Sequence, residues 1–463
     1  MSRGQTAAVA ALIFTLSFAG SAFPQPPPAG QPEPAAVTSP PPSAGADGVK
    51  TPAVGAGEPP LQPPTQEQID ELRRRIEVLA AELERLRSGE VQEAPLDDAR
   101  RRALGLAPSA AAAYRKSGGL SFAGYGEMLY ENFGEDTESG VAAGKASQID
   151  FLRLILYSGY RFGDRVIFNS EIELEHANEI SVEFAYLDFM VHDVLILRGG
   201  MLLVPMGLVN EFHEPTVFLG ARRPETESRI LPSTWRENGA GVLGSVGPVA
   251  YRAFVINGLN AGGFSAAGLR GGRQKGSRAR ADDLALVGRV DVTPMPGVMV
   301  GGSFYTGGSD QSQYAVGGRS LDVGTHIGEL HGQIQWRGTD VRALYARASV
   351  DDVAGLNQAL GLTGRQSIGE AMTGGYVQVG HNVLSQLTTR TWLTPYYRFE
   401  RVDTQADVPA GFSRDPARDG TFHTLGLELK PIPEVVVKLD YQWVRNRART
   451  GVNQFNIALG YAF

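Results

Sequence analysis

The chain contains no cysteine, which excludes disulfide staples, thiolate metal sites and a cysteine nucleophile, and suits an oxidising compartment where a stray thiol is a liability. Positive charge is not in excess either. With 43 Lys and Arg against 50 Asp and Glu, the formal charge is −7, so no basic field exists to hold nucleic acid. Beyond the N-terminus no run of about 18 apolar residues occurs, which excludes membrane-spanning helices. Catalytic signatures are missing as well. There is no GxSxG elbow, and the literal GxGxxG at residues 239–244 lies inside a predicted strand with no helix after it, so its glycines are read as relieving crowding in a sheet. His326 and His331 share no HExxH-like helix and the remaining histidines are scattered, so no catalytic residue, cofactor or metal site is expected.

What is present falls into five segments. Arg3, an apolar stretch over residues 7–19 and the small residues Gly20, Ser21 and Ala22 read as a cleavable export signal, residues 1–22. Residues 23–64 hold 14 of the chain's 28 prolines, a composition that stays extended and builds no core: a tether. Ile69, Leu72, Ile76, Leu79, Leu83 and Leu86 then follow heptad spacing, with Thr65 and Gln68 as a capping box and Gly89 at the stop, so residues 65–89 are expected to form a short coiled coil. Its seam is too short to be stable alone and needs another oligomer contact. Ile at a with Leu at d favours two strands. Residues 90–118 read as a polar, partly helical connector.

From residue 119 to 463 the period changes to two. The clearest stretch is the last: Phe455, Ile457, Leu459, Tyr461 and Phe463 alternate with small or polar residues and end on an aromatic carboxyl terminus. Val166, Phe168, Ile172 and Leu174 likewise alternate with Arg165, Asn169, Glu171, Glu173 and Glu175. Residues 149–160 are apolar on both faces, and their register is left open. Strand centres near residues 125, 154, 170, 186, 198, 241, 253, 288, 302, 331, 344, 375, 395, 424, 439 and 457 give about sixteen strands, joined alternately by tight turns and mostly longer links. The expected fold class is therefore all-β: a single antiparallel transmembrane β-barrel of about sixteen strands, apolar outside, with a water-filled lumen inside. An outer-membrane location in a Gram-negative bacterium follows, with the N-terminal segment in the periplasm and membrane lipid and lipopolysaccharide around the wall.

Leu197-Arg198-Gly199-Gly200, then Pro205-Met206-Gly207, then Trp235-Arg236-Glu237-Asn238-Gly239 entering a glycine-rich strand, together with the aromatic terminus, resemble the phosphate-selective porin O and P family and its wider porin relatives. The resemblance spans residues 119–463, and the coiled coil before the barrel resembles the layout of trimeric sugar and dicarboxylate porins. It implies passive diffusion of small hydrophilic solutes or anions, a homo-trimer, and a terminal strand (Phe455, Ile457, Leu459, Tyr461, Phe463) read by the barrel-insertion machinery. It also implies that the third long loop, residues 203–235, folds inward to set the narrowest point. Lysine is scarce in the barrel, so no phosphate-binding residue is assigned.

The expected constriction residues are then Glu211, Glu214, Arg222, Arg223, Glu225, Glu227 and Arg229. Arg252, Arg289, Arg398 and Lys438 are expected on the lumen wall opposite Glu171, Glu173 and Glu175, setting a transverse field, and Arg270, Arg273, Lys275, Arg278 and Arg280 form an outer basic loop. A different reading makes the barrel a structural anchor for a Pro-rich arm and coiled coil that bind the cell wall or a periplasmic partner. If the third loop lines the constriction, the double substitution Arg222→Glu, Arg223→Glu should shift ion preference towards cations, read as the reversal potential in a salt gradient; an unchanged potential contradicts that placement.

Overall fold

The computed structural model describes residues 96–192 and 194–463, together with Gln66, Asp70, Glu71 and residues 73–77. The predicted export signal and Pro-rich tether lie outside the described residues. Of the predicted coiled coil, the few described residues are helical.

The strands are β1 (Gly119–Phe133), β2 (Gln148–Arg161), β3 (Val166–Glu175), β4 (Glu179–His192), β5 (Leu195–Leu203), β6 (Arg236–Val246), β7 (Val249–Asn257), β8 (Leu284–Met295) and β9 (Val298–Gly308). A two-residue hairpin, β10 (Ala315–Val316) and β11 (Arg319–Ser320), stands apart. Then come β12 (Gly324–Trp336), β13 (Thr339–Val350), β14 (Ala371–His381), β15 (Trp392–Asp407), β16 (Asp419–Ile432), β17 (Val435–Asn446) and β18 (Gln454–Ala462). Apart from the hairpin, these strands pair antiparallel in sequence order, β9 with β12 and β18 back onto β1, and close a barrel of sixteen. Every predicted strand centre falls within one of them.

The alternation sorts the two faces as a lipid-facing wall requires. Phe122, Leu156, Leu286 and Leu330 project outward and are exposed, while the residues on either side of each, which point inward, are buried. One rim carries short turns. At Arg337-Gly338 both residues have positive φ, 45° and 82°, which is the two-residue turn whose twist matches that of the flanking strands. Phe122, Phe162, Trp336, Trp392 and Phe463 gather outward near this rim as an aromatic girdle, the expected position for rings at a membrane boundary. The other rim carries the long links, the longest between β5 and β6. Two links depart from the alternation: residues 176–178 form a short turn at the long-loop rim, and residues 382–391 a longer one at the short-turn rim.

The glycines of β6 act as expected of a crowded wall. A Cβ on Gly241 would stand 2.0 Å from the Ala253 carbonyl oxygen on the neighbouring strand. The seam is closed by the last residue. Phe463 and Gly124 exchange two backbone hydrogen bonds, each 2.9 Å. Deleting Phe463 should cost about 2 kcal/mol of barrel stability, two net hydrogen bonds, measured by urea unfolding in detergent or lipid; unfolding that does not change would contradict the assigned seam.

Candidate functional site: the barrel interior

A barrel of sixteen strands is wide enough to hold water. Here the inward wall faces protein. Arg153, Ile155 and Tyr157 on β2, Asp188 on β4, Arg252 on β7, Glu329 and His331 on β12, Arg398 and Glu400 on β15, and Lys438 and Asp440 on β17 are all buried. The expectation of an open, water-filled lumen is therefore corrected: two inserted segments fill it.

The first is the stretch expected to be a polar, partly helical connector. Asp97 caps the helix Asp98–Ala103, its carboxylate accepting from the Arg100 amide at 2.7 Å, and the chain then runs through a second short helix, Ala112–Arg115, to the start of β1. Leu104, Leu106, Ala110, Ala111, Ala113 and Tyr114 are buried inside the barrel. Its polar groups are met by the wall. Arg252 donates to the Arg102 carbonyl (3.0 Å) and Arg198 to that of Leu104 (3.3 Å), two cations at a helix C-terminus. Asn169 donates to the Ala110 carbonyl at 2.9 Å, and Tyr114 Oη to Asp188 at 2.7 Å. Gly105 makes the close approach possible: its φ is +66°, and a Cβ there would stand 2.1 Å from the Glu211 carboxylate.

The second segment is the 203–235 loop, which does fold inward and crosses the bore from β5 and β6 to the opposite wall. Lys430 donates to the Thr216 carbonyl (2.7 Å), Lys438 to those of Phe218 (2.8 Å) and Gly220 (3.1 Å), and Arg342 to that of Val217 (3.0 Å). Asp440 accepts from the Ala221 amide at 2.7 Å. Asn210 ties the loop's two ends together, accepting from the Trp235 amide at 2.6 Å and donating to the Val204 and Trp235 carbonyls.

The expected site residues can now be placed. In the loop, Glu211 pairs with Arg252 and Arg222 with Glu131. Glu214 accepts from the Ser109 amide (2.8 Å) and hydroxyl (3.1 Å), which locks the two inserted segments together. Glu227 accepts from Tyr376 Oη (2.6 Å) and the Val209 amide (2.7 Å); Glu225 and Arg229 pair with each other; Arg223 donates to Thr234 Oγ1 at 2.8 Å. On the wall, Glu171, Glu173, Arg252, Arg289, Arg398 and Lys438 all point inward. They do not oppose one another across open water. Arg252 and Arg289 share Asp291 at 2.9 and 2.8 Å, Glu173 meets Arg153 at 3.2 Å, and Lys438 is held by loop carbonyls, so the expected transverse field is neutralised locally. Glu175 sits at the end of β3, partly exposed beside His176, and not in the buried wall.

The outer basic loop folds over the inserted one. Arg273 donates to the Pro232 and Thr234 carbonyls, and the Leu269 amide to the Arg229 carbonyl at 3.0 Å. Arg270, Lys275, Arg278 and Arg280 remain exposed, Arg280 with Asp282 at 4.0 Å. Burial, together with the neighbouring guanidinium groups of Arg270 and Arg236, lowers Arg273 to about 9.

Sequence reasoning missed His213 and Glu183. His213, in the inserted loop, has Nε2 at 3.3 Å from Glu171 and 3.0 Å from Glu183. Burial opposes a charge on this imidazole, but the two carboxylates outweigh it and raise the group to about 10. Glu183 was hidden by a β-bulge, because it shifts the inward parity of β4 by one residue there.

No family model matches the chain. Among solved structures it is similar to Salmonella typhi OmpF in complex with daunomycin (10% identity, 75% of this chain and 98% of that one, TM-score 0.49). It is also similar to the outer membrane channel DcaP of Acinetobacter baumannii (11% identity, 74% and 97%, TM-score 0.48) and to the anion-selective porin from Comamonas acidovorans (12% identity, 75% and 100%, TM-score 0.44). The barrel is established by its own hydrogen-bonded ladder and not by these similarities. At 38% identity over 353 residues, 73% of this chain and 78% of the other, the chain belongs to the same family as an uncharacterized protein of Aquifex aeolicus (strain VF5).

Proposed function

We propose that this protein is a porin-type channel of the Gram-negative outer membrane, closed at rest by residues 96–118 and opened when that segment leaves the bore. The observation that carries this reading is the chemistry of the wall. Its inward face bears carboxylates and guanidinium groups on most strands, a lining suited to water and hydrophilic solutes, and what keeps water out is a loop and an N-terminal segment inserted into it. The segment is continuous with the tether and the heptad array before it, so a pull on that arm is a route to opening. The short-turn rim then faces the periplasm. Lipid and lipopolysaccharide surround the wall, and the last strand serves as the insertion signal.

In the open channel small hydrophilic solutes diffuse down their gradients, and no chemistry is catalysed. Arg223, Arg270 and Arg273 near the long-loop rim favour small anions, phosphate among them, because the charge of Arg223 reaches both Arg270 and Arg273 and the three act on the same end of the bore. A homo-trimer would give the short coiled coil the oligomer contact it needs. The packed interior also favours the second reading, a closed barrel that anchors the Pro-rich arm to the membrane.

Deletion of residues 96–111 separates the two. In planar bilayers we expect the full chain to be mostly silent and the deletion, shown to be folded by its heat-dependent gel mobility, to conduct with a reversal potential on the anion side. A folded deletion variant that stays silent would overturn the channel reading and leave the anchor.

A further inference from the structure

The cluster around His213 has the geometry of a metal site. Glu171 pairs with Phe184 and Ile172 with Val182, so the bulged Glu183 is left without a cross-strand partner and is turned inward beside Glu171. His213 approaches from the inserted loop. Its Nδ1 lies 2.8 Å from the Asn210 carbonyl oxygen, which only accepts, so Nδ1 carries the hydrogen and Nε2 faces the two carboxylates. One oxygen from each glutamate and the imidazole nitrogen lie within 4.8 Å of one another, with Nε2 at 3.0 and 3.3 Å from its two neighbours. An ion holding nitrogen and oxygen at about 2.0–2.1 Å in a tetrahedron spaces them by about 3.3 Å.

Unmet valences point the same way. The second oxygen of Glu171 has no hydrogen-bond donor, and the Glu183 oxygen nearest the ring has only the imidazole beside it, although both residues are at most 1% exposed. A single N–H direction on Nε2 cannot serve both carboxylates, whereas an ion can. Beside Glu171 and His213 lies a cavity of about 10 Å³, room for about one water and hence for a fourth ligand. The remaining Glu183 oxygen accepts from Arg236 at 2.9 Å, the outer hydrogen bond that holds a ligating carboxylate in place.

We infer that Glu171, Glu183 and His213 bind one divalent ion of the zinc class, which ties the inserted loop to β3 and β4. The inference does not rest on conduction. A proton on Nε2 is the competing occupant of the same space, and the test distinguishes the two.

The full-length protein, purified in detergent without chelator and dialysed against Zn²⁺ and then against buffer, should retain about one zinc per chain. EDTA should remove it and lower the thermal midpoint, and Zn²⁺ should restore both. His213→Gln and Glu183→Gln, each shown to be folded, should hold less than about a tenth of that zinc. Should these fail to fold, His213→Cys keeps a zinc ligand in place, and cobalt bound to it should show a thiolate charge-transfer band. Wild-type protein that retains no zinc, zinc retained equally by the folded Gln variants, or cobalt-treated His213→Cys without that band would each overturn the inference.

Discussion

A charge taken out of water inside a barrel must find a partner, and this requirement governs the interior. The wall places carboxylates and guanidinium groups on its inner face, and once the bore is filled none of them can be left to solvent. Most therefore meet a charge on the same or a neighbouring strand, as Arg153 meets Glu173, or a group on an inserted segment, as Lys438 meets the carbonyls of Phe218 and Gly220. The inserted loop and the N-terminal segment are shaped by the same requirement. They present backbone carbonyls and carboxylates where the wall presents cations.

The two inserted segments depend on each other. Glu214 of the loop holds the amide and hydroxyl of Ser109, and Glu211 reaches Arg252, which also donates to the Arg102 carbonyl. Removing one segment therefore strips partners from the other and from the wall, and water must then enter to solvate what is left.

The barrel was legible because its signal is local. Alternation and tight turns are properties of a few consecutive residues, and all sixteen strand centres could be read from them. The interior was not legible, for three physical reasons. Residues 149–160 are apolar on both faces because Ile155 and Tyr157 point inward into a packed core and not into water, while Leu156 and Tyr160 face outward. A Cβ on inward Gly159 would stand 2.4 Å from the Ala113 side chain of the plug, a contact that no periodicity encodes. The plug itself reads as a polar connector because partners such as Gln333 and Gln335, which meet Arg102, lie on a strand far away in the sequence. The bulge at Glu183 breaks parity and concealed the carboxylate that completes the cluster with Glu171 and His213.

The central claim is that residues 96–118 lie folded within the bore, and amide hydrogen exchange of the intact protein in detergent tests it most directly. The account requires strong protection at Ser109, whose amide is held by Glu214, and at Leu104, Leu106 and Tyr114, whose amides bond within the segment. Exchange across this stretch at the rate of a free peptide, with the strands protected, would contradict it.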